Sequence, residues 1–409
     1  MNAHALIMLV LSMPAAAAAA TAVERWPLPA SAAASQPSLG KGPDGTLNLS
    51  WIERRGDGHR LRMARYRDGR WLPATTIAEG GNWFVNWADF PSSTQLADGT
   101  LWAHNLVKSG DGAYAYDVVL YRSKDGGKTW SNPVTVNDDG TATEHGFATL
   151  WPWSRSELAI AWLDGRQTAG GTAHDGHGPG HDVDLGKAMT LRAGVFDGNG
   201  HKLREWPLDS STCDCCQTDS ALTDDGPIVV YRDRDAREIR DIHSTRFAGG
   251  RWQTPKPVAT DGWVMPACPV NGPAVAAAGR QVWAAWYTAA GGVPSVRLAY
   301  SNDAGAGFSK TLTFKRGDAL QGRVDLSADT KGAWLLWTEE RDRQTLWLQR
   351  LDGALQADRP PVRVATLAGR GRATGFARMQ QVDGALYVVW TDVVAGKPAL
   401  RGARIPAAH

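Results

Sequence analysis

The four cysteines are the most distinctive chemistry in the sequence. They are confined to Cys213-Asp214-Cys215-Cys216 and to Cys268 within Pro266-Ala267-Cys268-Pro269. Three thiols within four residues match a soft-metal ligand set, for copper or zinc. In an exported chain the same residues are expected to form disulfides. Four cysteines allow three pairings; a vicinal Cys215–Cys216 bond is strained, which favours Cys268 paired with one member of the cluster. Both arrangements stay open at this level. A second group, His174, His177 and His181, lies in a glycine-rich stretch with Asp175, Asp182 and Asp184. It can hold zinc or copper through imidazole, or calcium through carboxylates. The alternative is a polar glycine loop with no ligand.

Composition bounds the rest. The chain has 409 residues, with 44 Lys+Arg against 42 Asp+Glu, a formal net charge of +2. That balance argues against a nucleic-acid partner, which calls for a basic excess. A hydrophobic share of 43% supports a large core and excludes general disorder. Tryptophan is over-used, 19 against 8 Phe and 8 Tyr, as in a β unit that repeats Trp at one position. Residues 2–13 are mostly apolar, and Pro14 and an alanine run follow. This reads as a signal peptide over residues 1–22, leaving a single domain over 23–409 in the periplasm or outside the cell. No apolar run is long enough to span a membrane, and a monomer is expected.

The elements that must position these residues form a repeat. A turn, often Asp-Gly, is followed by an alternating strand ending at Trp51, Asn105, Trp162, Tyr231, Trp286, Trp337 and Trp390, at steps of 54, 57, 69, 55, 51 and 53. Alternation at period two marks strands and Asp-Gly marks tight turns. Each copy precedes a second strand, a glycine turn and often a Trp, so a unit holds about four strands, the size of a propeller blade. The expectation is an all-β propeller of seven four-stranded blades, or six if one unit is degenerate. The seventh unit stops after its third strand. Arg25-Trp26-Pro27-Leu28 resembles Arg70-Trp71-Leu72-Pro73, so the N-terminal segment is expected to supply the missing strand and close the ring.

In such a ring, loops after the second strands and loops between blades share one face, which collects acids, arginines and aromatics suited to a small polar ligand. The repeated tryptophans are assigned to packing between blades. Trp83 and Trp87, in the loop over residues 80–89, are the exposed-aromatic candidates. The long 69-residue step places the histidine stretch on this face, and both cysteine stretches precede first strands of consecutive blades.

Ser123-Lys124-Asp125-Gly126-Gly127-Lys128-Thr129-Trp130 matches the Asp-box pattern Ser-x-Asp-x-Gly-x-x-Trp, and residues 301–308 are a looser copy. With the repeat, the chain resembles the sialidase superfamily of Asp-box (BNR-repeat) propellers over essentially all of residues 23–409. The resemblance implies an exo-acting glycoside hydrolase for acidic sugars: arginines hold a sugar carboxylate, a Tyr activated by a Glu is the nucleophile, and an Asp is the acid/base. On this sequence those roles are carried to Asp89 as acid/base, to Tyr287 with Glu339 as nucleophile pair, and to Arg54, Arg232 and Arg323 as anion clamp. The Phe-Arg-Ile-Pro signature of the family is absent. Two other functions fit the same architecture: a polysaccharide lyase using His145, Tyr287 and Arg232, and a non-catalytic propeller that binds a ligand or metal through the Cys/His face.

Overall fold

A computed structural model describes residues 22–31, 33–169, 187–308 and 310–406. Seven antiparallel sheets follow one another along the chain. Their innermost strands are Ala34–Lys41, Ser93–Gln95, His145–Pro152, Asp219–Thr223, Ala274–Ala278, Leu320–Asp329 and Arg378–Val382, opening blades 1 to 7 in that order. The second strands, Leu47–Arg55, Leu101–Lys108, Leu158–Asp164, Gly226–Arg232, Gln281–Thr288, Gly332–Glu340 and Ala385–Val394, carry the seven sequence repeats. They are covered on both faces by neighbouring blades, so they read as nearly continuous apolar runs; all seven residues of Leu158–Asp164 are buried.

Between blades the repeated tryptophans form the core. Trp51, Trp102, Trp162, Trp283, Trp286 and Trp337 are almost fully buried. Residues i and i+2 of a strand share a face, and the indoles use this. Trp51 Nε1 donates to Glu53 at 2.8 Å, Trp162 Nε1 to Asp164 at 2.9 Å and Trp337 Nε1 to Glu339 at 2.9 Å. A Trp-x-acid pattern therefore satisfies the one polar atom of a buried indole.

The outer strands of blades 1 and 4 depart from the expected single strand. Each is broken into two short pieces, Arg70–Trp71 with Thr75–Gly80 and Arg251–Trp252 with Lys256–Pro257, pairing with the same third strand. Pro73 and Pro255 lie in the gaps, and proline cannot donate to a ladder. The turn after the third strand of blade 2 is held by its own side chains. Asp125 Oδ1 accepts from Lys128 N and Thr129 N, both at 3.0 Å, and Ser123 Oγ accepts from Gly127 N at 2.9 Å.

The ring closes through its N-terminal segment. Glu24 pairs with Arg404 and Arg25 with Ala403, so Glu24–Arg25 is the fourth strand of blade 7. Trp26 N donates to Gly402 O at 2.9 Å. The Trp26 ring is buried against Tyr387 at 4.7 Å and against Trp71 at 4.8 Å, on the two blades that must meet. Gly402 permits this approach, because a Cβ there would lie 2.8 Å from Trp26 O. Trp26→Ala is expected to lower the free energy of unfolding by ~3–5 kcal/mol, the usual cost of emptying a large aromatic site. The check is the urea midpoint, and an unchanged midpoint contradicts the role given to Trp26.

Candidate functional site

The innermost strands line a polar cavity of about 210 Å³ on the ring axis. Its wall comes from blades 1, 2, 3, 4 and 7, through residues that include Ser38, Ser93, Thr149, Asp219, Ser220, Arg378 and Gln380, with Asp89 and Phe90 from the loop entering blade 2. Three inner strands are broken in register, at Ser35/Ser38, Gly146/Thr149 and Leu320/Val324. Gln36 (φ 55°) and Phe147 (φ 51°) sit left-handed in two of these breaks. Bulges of this kind re-aim side chains where strands meet a site.

Asp89 is 2% exposed. Its Oδ1 accepts from Phe147 N at 2.9 Å, and its Oδ2 lies 2.9 Å from Tyr116 Oη. The same phenol lies 2.8 Å from Glu144 Oε1. A phenol carries one proton and can donate to only one of two carboxylates. The chain of three is satisfied when Asp89 is itself protonated and donates to Tyr116 Oη, which then donates to Glu144. Burial, with the charge of Glu144 adding to it, pushes Asp89 up to about 8, against the hydrogen bonds from Phe147 and Tyr116. Tyr116 is fully buried and stacks on Phe84 at 4.0 Å. Gly146 makes room for the group, since a Cβ there would press on Asp89 Oδ2 and lie 2.8 Å from Tyr116 Cε2.

Asp89 is one of three carboxylates that each join a blade to the next. Asp219 Oδ2 accepts from Val275 N at 2.9 Å, and Asp325 Oδ2 from Met379 N at 2.6 Å. Burial raises both, Asp325 to about 6, but the charge of Arg378 opposes the rise in each. No cation opposes the rise at Asp89. Arg378 lies over the Phe90 ring at 5.3 Å and donates to Asp325 at 3.3 Å. That is its single hydrogen bond among the described residues, from a group with five N–H donors.

The other residues singled out in the sequence fall in several places. Trp87, beside the cavity-lining Ala88, is stacked on Phe376 at 5.9 Å with the guanidinium of Arg323 5.1 Å and that of Arg372 5.7 Å from its ring. Trp83 is instead buried, against His59 and Gly80. Tyr287 and Glu339 are not hydrogen-bonded to each other. Glu339 Oε1 is taken by the indole of Trp337 and by Lys315 Nζ at 2.8 Å, as the Trp-x-acid pattern requires, while Tyr287 packs on Trp263.

The three arginines do not converge as a clamp. Arg54 is exposed and reaches Gly56 O. Arg232 and Arg323 are buried, and their donors are consumed by backbone carbonyls and a threonine: Asn271, Tyr287 and Arg240 for the first, Gly371, Gly375 and Thr374 for the second. A buried guanidinium must satisfy its donors locally. Burial brings Arg323 down to about 10. His145 is fully buried against Asp139 at 2.9 Å.

Cys213, Cys215 and Cys216 lie together, and Cys268 meets the Cys215 thiol. Burial raises the Cys213 thiol, but hydrogen bonds from Cys215 and Cys216 and the charges of Arg240 and Arg232 carry it well below the usual range. Cys215 is pushed up by its hydrogen bonds to the other sulfurs, and Cys216 by burial. The cluster shares its apolar surroundings with Ala88, Phe147 and Phe376, beside the axial cavity. His174, His177 and His181 lie outside the described residues. The next strand, Met189–Phe196, begins at a residue whose carbonyl accepts from Thr212 Oγ1 at 3.2 Å, next to Cys213.

No protein-family model and no curated protein matches the sequence. Solved structures do match, and what they share with this chain is the fold. A protein of unknown function from Dyadobacter fermentans DSM 18053 is similar at TM-score 0.52 and 14% identity, over 92% of this chain and 95% of that one. The polysaccharide lyase Uly1 is similar at TM-score 0.52 and 10% identity, over 91% and 90%. A Hadza microbial sialidase, Hz136, gives TM-score 0.44 at 16% identity, and the chain spans 63% of its length.

Sequence reasoning named Asp89 and gave no role to Tyr116, its hydrogen-bond partner. Asp89→Asn is expected to keep the fold, because an amide can accept from Phe147 N and donate to Tyr116. In the wild type the unfolded carboxyl ionises near about 4 and the folded one near about 8. The folded state therefore binds the extra proton, and stability from this group is lost as pH rises through that window. Relative to the wild type, Asp89→Asn should become steadily more stable from pH 4 to 8 in urea titrations. A difference that does not change with pH contradicts the protonated carboxyl.

Proposed function

We propose that the axial cavity receives the end of a glycan and that Asp89 donates the proton that cleaves its terminal glycosidic bond. The observation that carries this reading is a buried carboxyl at the wall of a polar cavity, pushed up to about 8 by its burial. A general acid must hold its proton at working pH and lie within reach of the leaving oxygen. Tyr116 and Glu144 behind it supply a route for reprotonation. Asp219, across the cavity wall, is the second carboxylate that glycoside hydrolysis needs. Arg378 keeps donors available for an acidic substituent, a bidentate partner for a carboxylate. The cavity suits one sugar ring better than a chain, which favours attack from an end. The chain's likeness in fold to the lyase Uly1 adds a carbohydrate-active precedent on this architecture. The leader over residues 1–22 would place the protein outside the cytoplasm, where such polymers are met.

The test is turnover of a panel of chromogenic sialosides, uronides and neutral glycosides, with uronate polymers alongside. Asp89→Asn should lower kcat by ~10²–10⁴-fold, the usual share of a general acid. Arg378→Gln should raise KM for acidic substrates more than for neutral ones. Products carrying a new double bond would turn the reading from hydrolysis to elimination. Absence of both turnover and binding across the panel removes the glycan reading.

A further inference from the structure

The loops that lead into blades 4 and 5 bring three sulfur atoms together and a fourth against one of them. Cys213, Cys215 and Cys216 follow the last strand of blade 3, Lys202–Thr212, and their sulfurs all lie within 4.8 Å of one another. Cys213 Sγ and Cys216 Sγ are 2.9 Å apart. Cys268, from the segment that leads into blade 5, meets the Cys215 thiol. Arg240, fully buried, points Nη1 at Cys213 Sγ from 3.3 Å. Its Nε and Nη2 are held by Glu238 at 3.1 and 2.9 Å, which fixes the guanidinium in place.

We propose that Cys213, Cys215, Cys216 and Cys268 form a thiolate site for a thiophilic d¹⁰ metal ion, the class of Cu(I) and Zn(II). A disulfide would use two sulfurs and would give no reason for the other two to converge. Metal–sulfur bonds of about 2.3 Å in a tetrahedron place sulfurs ~3.8 Å apart, inside the 4.8 Å that bounds Cys213, Cys215 and Cys216. Thiolate and thioether ligands select these soft ions over calcium or magnesium. A cation in contact with Cys213 offsets the negative charge that a cage of thiolates gathers around one ion. The ring of apolar groups, Phe147, Phe376 and Trp87 among them, keeps water from competing for the metal. Cys268 is the half-exposed member and marks the side of entry. Gln217, the residue after Cys216, donates to Ala88 O at 2.7 Å, so the site stands directly behind the loop that carries Asp89. It lies next to the axial cavity and does not depend on the glycan reading.

The test uses the full chain, purified anaerobically and reduced. It is titrated with Cu(I) against a chromogenic chelator, and separately with Zn(II), with bound metal counted by mass spectrometry. About one equivalent is expected. Cu(I) alone, Zn(II) alone, or both in competition support the site and assign its ion. Cys213→Ser and Cys216→Ser should abolish retention, and Cys268→Ser, at a half-exposed position, should weaken it by at least about tenfold because each ligand thiolate contributes to affinity. If the buried variants do not fold, Cys268→Ser and the wild type decide. Reduced wild type that takes up neither ion overturns the proposal. So does full retention in Cys216→Ser or unchanged affinity in Cys268→Ser.

Discussion

Two backbone pairings, Glu24 with Arg404 and Arg25 with Ala403, join chain ends almost four hundred residues apart, and the axial cavity depends on that join. Ser38 and Lys41 of blade 1 and Arg378 and Gln380 of blade 7 line one wall together. Without closure, those strands would be exposed sheet edges rather than neighbours. Trp26 and Trp71 fasten the join from outside, with Trp71 Nε1 donating to Pro27 O at 2.8 Å. The arrangement uses apolar stacking to hold what two short ladders could not hold alone.

Inside the ring, the placement of cations decides which buried groups carry charge. Three carboxylates perform the same structural task, each accepting a backbone N–H from the next inner strand. The charge of Arg378 opposes the rise at two of them, while at Asp89 burial acts with no such opposition and pushes the carboxyl up to about 8. The thiols follow the same rule. Arg240 donates to Cys213, and its charge adds to the hydrogen bonds from Cys215 and Cys216 that carry this thiol well below the usual range. A repeated scaffold thereby acquires two unlike polar centres by varying where its guanidinium groups sit.

Much of the architecture could be read from local pattern. The seven apolar runs, four of them after Asp-Gly turns, are the second strands, and the Arg-Trp-Leu-Pro and Arg-Trp-Pro-Leu echo located the closing strand. These signals are local because strands and turns are local. The partnership of Tyr116 with Asp89 and Glu144 spans 27 and 28 residues and exists only where blade 2 meets blade 3, so no spacing announces it. Glu339 looked catalytic because its type and place fitted. The neighbouring Trp337, repeated as Trp51-x-Glu53 and Trp162-x-Asp164, was the available sign that its carboxylate serves an indole. Arg232 and Arg323 misled in the same way, since sequence gives a guanidinium but not the carbonyls that occupy it. Gly146 would have been a useful pointer, because a missing Cβ marks the tight approach of Asp89 and Tyr116.

The central claim, a carboxyl that stays protonated at the cavity wall, is open to direct observation. Infrared difference spectra of the wild type against Asp89→Asn, recorded from pH 5 to pH 9, report the protonated carbonyl stretch of this one group. A band present at neutral pH and lost near about 8 is expected. Its absence throughout, with carboxylate absorption already complete at pH 5, would contradict the proton store and with it the catalytic role given to Asp89.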